Sequence, residues 1–306
     1  MRVSRRIRDV TPFVERYRTA GLSVGLVPTL GALHSGHRSL LQTARRECDR
    51  VVATIFLNPT QFGPGEDLEA YPKTPEADLD MCRNEGADWV FIGQDADVYP
   101  SGFDTWVEVE RLTEVMCGRS RPDHFRGVTT VVTQLLQIAQ PHRAYFGQKD
   151  YQQSLVIRRL VQDLHIPVDI RVCPTVRETD GCAVSSRNAY LSESERQIAG
   201  RLYASLTAGR QALEAGEQRV AAIVAPMRQV LGCEDALRVD YLEVRDASTL
   251  QSFADGRVSS HAEVLLAVAA FVGSTRLIDN VLVVPRVDSA GGPHAPSEGA
   301  GQGSKD

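Results

Sequence analysis

The chain is 306 residues long, 42% hydrophobic and 24% charged, an ordinary globular composition with enough length for one large domain and a smaller one. Thirty-four basic and 39 acidic side chains leave a net charge of −5, so no global positive field is available to hold a nucleic-acid backbone. No run approaches the roughly 18 consecutive apolar residues of a bilayer span, and a membrane partner is not expected either.

The most basic stretch comes first, where Arg2, Arg5, Arg6, Arg8, Arg16 and Arg18 outnumber Asp9 and Glu15. Its acids and the lack of an apolar h-region make it a solvated helix face rather than a targeting peptide. An apolar run at 22–27 ends at Pro28, helical spacing follows over 37–48, and a β-rich run spans 51–57: a βαβ unit. Further along, the pattern predicts helices at 75–85, 128–139 and 152–164, and strands at 89–92, 144–146 and 168–172. That alternation calls for an α/β fold, a doubly wound parallel sheet of Rossmann-like type with helices on both faces.

Past residue 175 the rhythm changes to two long helical stretches within 192–231 and strand-like runs at 239–244 and 263–271. The expected organisation is a large domain at 1–175, a smaller C-terminal α+β domain at 176–286, and a disordered Gly/Pro/Ser-rich tail at 287–306. Cys48, Cys82, Cys117, Cys173, Cys182 and Cys233 are scattered, without C-x-x-C or zinc-like His spacing. They read as reduced thiols of a cytoplasmic protein, with no protein metal site.

The sharpest chemical signal is PTLGALHSGH at 28–37, placed where the first predicted strand ends and a helix begins. Gly31 and Gly36 allow a tight turn and close backbone approach, and helix N-terminal amides attract anions. His34 and His37 can both face one phosphate chain and donate hydrogen bonds without the permanent charge of lysine. In open α/β sheets ligands lie beyond the carboxyl ends of the strands, which is where this loop falls.

The loop resembles the H-x-G-H signature of nucleotidylyltransferases and class I aminoacyl-tRNA synthetases, which by itself implies attack on an α-phosphate. FLNPTQF (56–62), EDLEAYPKTPEAD (66–78), RPDHFRGV (121–128), YFGQKDYQQ (145–153), TDGCAVSSRNAYL (179–191) and LIDN near 280 then resemble pantothenate synthetases in order and spacing. The resemblance implies ATP along Leu30, Gly31, Ala32, Leu33, His34, Ser35, Gly36 and His37, with His37 assisting departure of pyrophosphate. It likewise implies nucleotide contacts at Gly147, Gln148, Lys149 and Asp150, Lys149 on the phosphates, adenine at the Val176 backbone, and a closing loop of Val184, Ser185, Ser186 and Arg187. Gln61 and Gln153 would hold pantoate. ATP would enter with Mg²⁺ as a substrate complex, no tightly bound organic cofactor is implied, and the family's assembly is a homodimer.

Taken singly, many of these residues have plainer readings. Ser185 to Asn188 could be a polar turn, Lys149 and Asp150 a surface ion pair, and His124 and Arg126 a cap or packing pair. Asp78 and Asp80 could reach a phosphate-bound Mg²⁺, but a solvated helix face is the simpler account. A nucleotidylyltransferase that keeps its adenylated product, or an ATP-sensing module, would share the fold. Leu30 and Val184 stand where the family usually has methionine, and Gln148 where it commonly has glutamate.

Overall fold

The computed structural model describes residues 1–232, 236–259 and 262–285, so the expected tail at 287–306 lies outside the described residues. A six-stranded sheet is ordered β1-β4-β3-β2-β5-β6, from β1 (Arg2–Ser4), β2 (Val24–Thr29), β3 (Arg50–Ile55), β4 (Trp89–Ile92), β5 (Arg143–Gly147) and β6 (Asp169–Cys173). Every neighbouring pair is parallel.

Side-chain alternation sends the strands to two separate cores. Val24, Leu26, Val52, Phe91 and Phe146 pack with residues of α1 (Ile7–Thr19), α6 (His124–Ala139) and α7 (Tyr151–Asp163). Val27, Val51, Ala53, Val90 and Tyr145 pack with α2 (Ser35–Glu47) and α3 (Pro75–Asn84). The short helices α4 (Asp95–Val98) and α5 (Met116–Ser120) complete this part. Both faces being covered, the strands read as near-continuous apolar runs, and the doubly wound Rossmann-like expectation holds.

Strand order reverses between β2 and β5, and there the ladder stops early. β2 pairs with β3 as far as Thr29 opposite Ile55, but with β5 only at Gly25 and Leu26. The strands then part, and Pro28, which has no N–H to offer β5, sits in the open stretch. The apolar run therefore continues as strand through Pro28 to Thr29 instead of ending before it.

A second, antiparallel sheet is ordered β7-β8-β9, from β7 (Leu237–Asp246), β8 (Val264–Val272) and β9 (Thr275–Val283). Leu265, Ala267 and Ala269 of β8 join the core under the parallel sheet. Their alternates Leu266, Val268 and Ala270 pack with α8 (Glu193–Glu214) and α9 (Val220–Leu231). Buried on both sides, β8 carries no polar alternation.

Two strands escape the sequence pattern. β1 is only three residues long and reads as part of a basic stretch, yet it pairs with β4, while the helix behind it buries Val10 and Val14. β9 is missed because adjacent Asp279 and Asn280 interrupt its apolar periodicity. Helix α6 begins four residues before the apolar pattern does, at His124, so RPDHFRGV supplies its first turn. There Gly127 touches the 3₁₀ turn Pro59–Gln61, and a Cβ on it would lie 2.4 Å from the Thr60 carbonyl oxygen and 2.7 Å from the Gln61 nitrogen. Gly127→Ala is expected to cost about 1–3 kcal/mol of stability, the scale of forced overpacking; an unchanged denaturant midpoint would show that the turn yields freely.

Candidate active site

The loop after β2 is held from below by a buried carboxylate. Gly31 and Ala32 both have left-handed backbones, at φ +96° and +50°, a conformation that an alanine adopts only when its surroundings impose it. Asp78, 2% exposed, accepts the Ala32 N–H at 3.0 Å and the Leu33 N–H at 2.8 Å, and the Thr74 hydroxyl at 2.9 Å. Asp78 is thus not on a solvated helix face as its pattern suggests: it points inward and sets the loop, whereas exposed Asp80 pairs with Arg83. From the far side the Ser186 hydroxyl donates to the Ala32 carbonyl at 3.1 Å.

The two histidines occupy the N-terminus of α2. His34 Nδ1 accepts the Gly36 N–H at 3.1 Å, and His37 Nδ1 accepts the His34 N–H at 3.3 Å, a reciprocal cap built from imidazoles. An accepting Nδ1 leaves the proton of a neutral ring on Nε2, so each histidine keeps one fixed donor. Burial, joined by the nearby Lys149 charge, lowers His34 to about 4. Burial, then His34 and Lys149, lowers His37 to about 3. The helix N-terminus disfavours protonation in the same sense.

Across the cleft, β5 ends in Gly147 and a 3₁₀ turn, Gln148–Asp150. The Lys149 ammonium lies 3.7 Å from Asp150. The consecutive glutamines that open α7 divide their tasks. Gln152 is buried, accepts the Cys117 N–H at 3.0 Å and donates to the Leu112 and Val115 carbonyls at 2.8 Å each, while Gln153 faces the cleft.

Gln61 is oriented by a chain of fixed dipoles. Asn58 Oδ1 accepts the Tyr99 hydroxyl at 2.8 Å and the Thr60 hydroxyl at 2.9 Å, so its amide donates to Gln61 Oε1 at 3.1 Å. With that oxygen taken, the Gln61 NH₂ remains for the cavity it lines. The Gln61 backbone carbonyl accepts His124 Nδ1–H at 2.8 Å and Arg121 at 3.2 Å. Burial beside Arg121 lowers His124 to about 4, and Arg121 is neutralised by Glu66 through two 2.6 Å bonds. His124 therefore supports the site, while Arg126 stacks on Trp106 at 4.5 Å.

The third wall is the loop leading into a 3₁₀ turn, Ser186–Tyr190, where the Ser185 hydroxyl accepts the Arg187 N–H at 3.3 Å. The Val184 N–H donates to the Val176 carbonyl at 3.0 Å. Arg187 meets Asp67 through bonds of 2.8 and 2.7 Å, so its charge is already paired.

These walls enclose a cavity of about 220 Å³, adjoining a second of about 900 Å³ with which it shares Arg121, His124, Lys149, Asp150, Gln153, Ser185 and Arg187. Leu30, His34, Gly36, His37, Gln61, Gly147 and Val176 line the smaller one, as do Val184, Ser185 and Ser186. Gly31, Ala32, Leu33, Ser35 and Gln148 are not on its wall: the Gly31 N–H turns to the Thr29 hydroxyl and those of Ala32 and Leu33 to Asp78, Ser35 is exposed, and Gln148 contributes its carbonyl to Asn280. Asn58, Tyr71, Arg121 and His124 also line it, and only their motif contexts mark them in the sequence. Among the described residues no cluster of His, Cys, Asp or Glu is arranged to hold a metal ion, and no helix is long and apolar enough to cross a membrane.

Comparison with known proteins shows the family. The sequence profile described as "Pantoate-beta-alanine ligase" matches residues 2–282. The chain belongs to the pantoate-beta-alanine ligase family. It is similar to the pantothenate synthetase of Moorella thermoacetica, 49% identical over 285 residues, 92% of this chain and 99% of the relative. That of Dinoroseobacter shibae is 51% identical over 267 residues, 87% and 94% of the two chains. Among solved structures, a pantothenate synthetase from Thermus thermophilus superposes with a TM-score of 0.87 at 43% identity, covering 93% of this chain and 100% of that one. A Francisella tularensis pantoate-beta-alanine ligase complexed with beta-gamma ATP and beta-alanine gives 0.75 at 32% identity, covering 92% and 97%.

The histidine geometry has a pH signature. Both folded values lie below the ordinary 6.5, so on acidification the unfolded chain binds these protons first. Their stability contribution is full above about pH 6.5 and is lost as pH falls from there toward the folded values. Nitrogen-15 NMR of the rings should show neutral Nε2–H tautomers persisting to roughly pH 5; an imidazolium signal at pH 6 would contradict the cap.

Proposed function

We propose that this ligase uses ATP to condense pantoate with β-alanine, releasing AMP and pyrophosphate, through a pantoyl adenylate held in the cavity at the sheet's switch point. The observation that carries the reading is the set of donors converging there: two neutral histidines on one helix N-terminus, Lys149 opposite, and the Ser185 hydroxyl, which accepts the Arg187 N–H and keeps its own proton, on the third side.

Pantoate has two hydroxyls, a gem-dimethyl group and the carboxylate that must attack. Gln61 and Gln153 offer neutral amides to the polar groups without adding an anion, and Val131, Val132 and Leu135 of α6 offer an apolar wall. The carboxylate attacks the α-phosphorus of MgATP, whose Mg²⁺ travels with the phosphates as part of the substrate. Charge then develops on departing pyrophosphate, where His37, His34 and Lys149 supply preorganised donors. The β-alanine amine next attacks the acyl carbon and expels AMP. Residues 1–175 carry ATP and pantoate in this scheme, and residues 176–286 close over the nucleotide. Cytoplasmic location and a homodimer complete the proposal; light scattering tests the dimer.

With pantoate present and β-alanine absent, the chain is expected to exchange labelled pyrophosphate into ATP, and His37→Ala should lower that turnover by roughly two to three orders of magnitude. ADP as product, or AMP release independent of β-alanine, would overturn the ligase mechanism. Gln61→Ala and Gln153→Ala should raise the KM for pantoate far more than that for ATP; a parallel rise in both would make the glutamines architectural.

A further inference from the structure

In β9, Asp279 and Asn280 are adjacent, 4% exposed each, and directed to opposite faces of the sheet as consecutive strand residues must be. Leu277 and Val281, alternates of Asp279, pack toward α8 and α9, whereas Ile278 and Leu282, alternates of Asn280, pack toward the parallel sheet. Asn280 Nδ2 donates to the Gln148 carbonyl at 3.0 Å and to the Lys149 carbonyl at 2.8 Å. The Asp279 carboxylate takes Arg177 through bonds of 2.6 and 2.9 Å, and the Arg177 guanidinium also lies 3.9 Å over the Tyr203 ring. Arg177 forms an isolated antiparallel bridge with Ala183, the residue that leads directly into Val184, Ser185 and Ser186.

We propose that Asp279 and Asn280 are positioning residues that join two walls of the site: Asn280 sets the turn that aims Lys149, and Asp279, through Arg177, sets the loop that presents Ser185. This inference rests on the reading of those residues as ATP contacts. Neither residue is the best choice for stability alone. Asn280 Oδ1 is buried without a hydrogen-bond partner, a penalty that an apolar side chain would avoid. A buried ion pair such as Arg177–Asp279 is often no more stabilising than well-packed apolar residues. What the pair supplies is registry: one strand of the antiparallel sheet fixes, one residue apart, two segments that lie more than a hundred residues upstream.

The test is a double-mutant cycle read by ATP affinity in calorimetry on the full chain. Asn280→Ala should weaken ATP binding about tenfold, the scale of losing two buried hydrogen bonds, and should do so far less in a Lys149→Ala background. The matching cycle between Asp279→Asn and Ser185→Ala reads the other arm. Non-additivity in both arms is the expected result, and the KM for β-alanine should not move. An equal loss in both backgrounds of either cycle, or no loss, overturns the clamp and leaves a merely structural role. Should Asn280→Ala fail to fold, Asn280→Ser, too short to span both carbonyls, enters the same cycle. Wild-type protein without pantoate-dependent pyrophosphate exchange would sink the ligase reading instead, and the ATP cycles would still judge the clamp.

Discussion

Everything at the site depends on where β2 leaves β5. Two pairs of residues hold these strands together, and beyond Leu26 they separate although both continue. The gap forms at the reversal of strand order, because the connections from the two strands depart to opposite sides. One edge of the gap receives the N-terminus of α2 and its histidines; the other receives the Lys149 turn. Pro28 lies in the gap at no hydrogen-bonding cost, and an ordinary residue there would have an N–H to satisfy. Asp78 then determines the shape of the loop, since without its carboxylate two buried amides would lose their acceptor and the left-handed Ala32 its restraint.

Charge is arranged so that the cavity is prepared for an anion without being strongly charged itself. Arg121 and Arg187 are matched by Glu66 and Asp67, which leaves their placement rigid and their fields largely local. The histidines are neutral and donate from fixed atoms. Among the described residues that line the cavity, only Lys149 is a loosely paired cation, at 3.7 Å from its carboxylate. In the proposed reaction such a site would do little reorganising as charge moves toward pyrophosphate, which is the condition under which fixed dipoles accelerate a displacement most.

Much of this is legible in the sequence, and the failures have physical causes. The βα rhythm and the H-x-G-H turn survive in the sequence because each is local: apolar periodicity and turn chemistry act over a few residues. Asp78 is misread because its partners, the amides of Ala32 and Leu33, are more than forty residues away and donate from backbone, which no side-chain pattern records. Gln152 and Gln153 are indistinguishable as letters; helix phase alone sends one into the core and the other to the cavity. Asn280 is visible as part of a motif but not as part of a strand, since a buried Asp-Asn pair breaks the alternation by which strands are recognised.

Gln148 shows how the same network absorbs a change of charge. The family resemblance leads to an expectation of glutamate here, which would suggest a carboxylate partner for Lys149. In this structure the contact of residue 148 is its backbone carbonyl, held by Asn280 at 3.0 Å, and the carboxylate nearest the Lys149 ammonium belongs to Asp150. The turn is therefore shaped by main-chain bonds that any side chain at 148 would preserve. What a neutral amide leaves unchanged is the charge of the turn, which rests on Lys149 and Asp150 alone. The geometry of the turn and its electrostatics are thus set by different residues, and one can vary while the other stays.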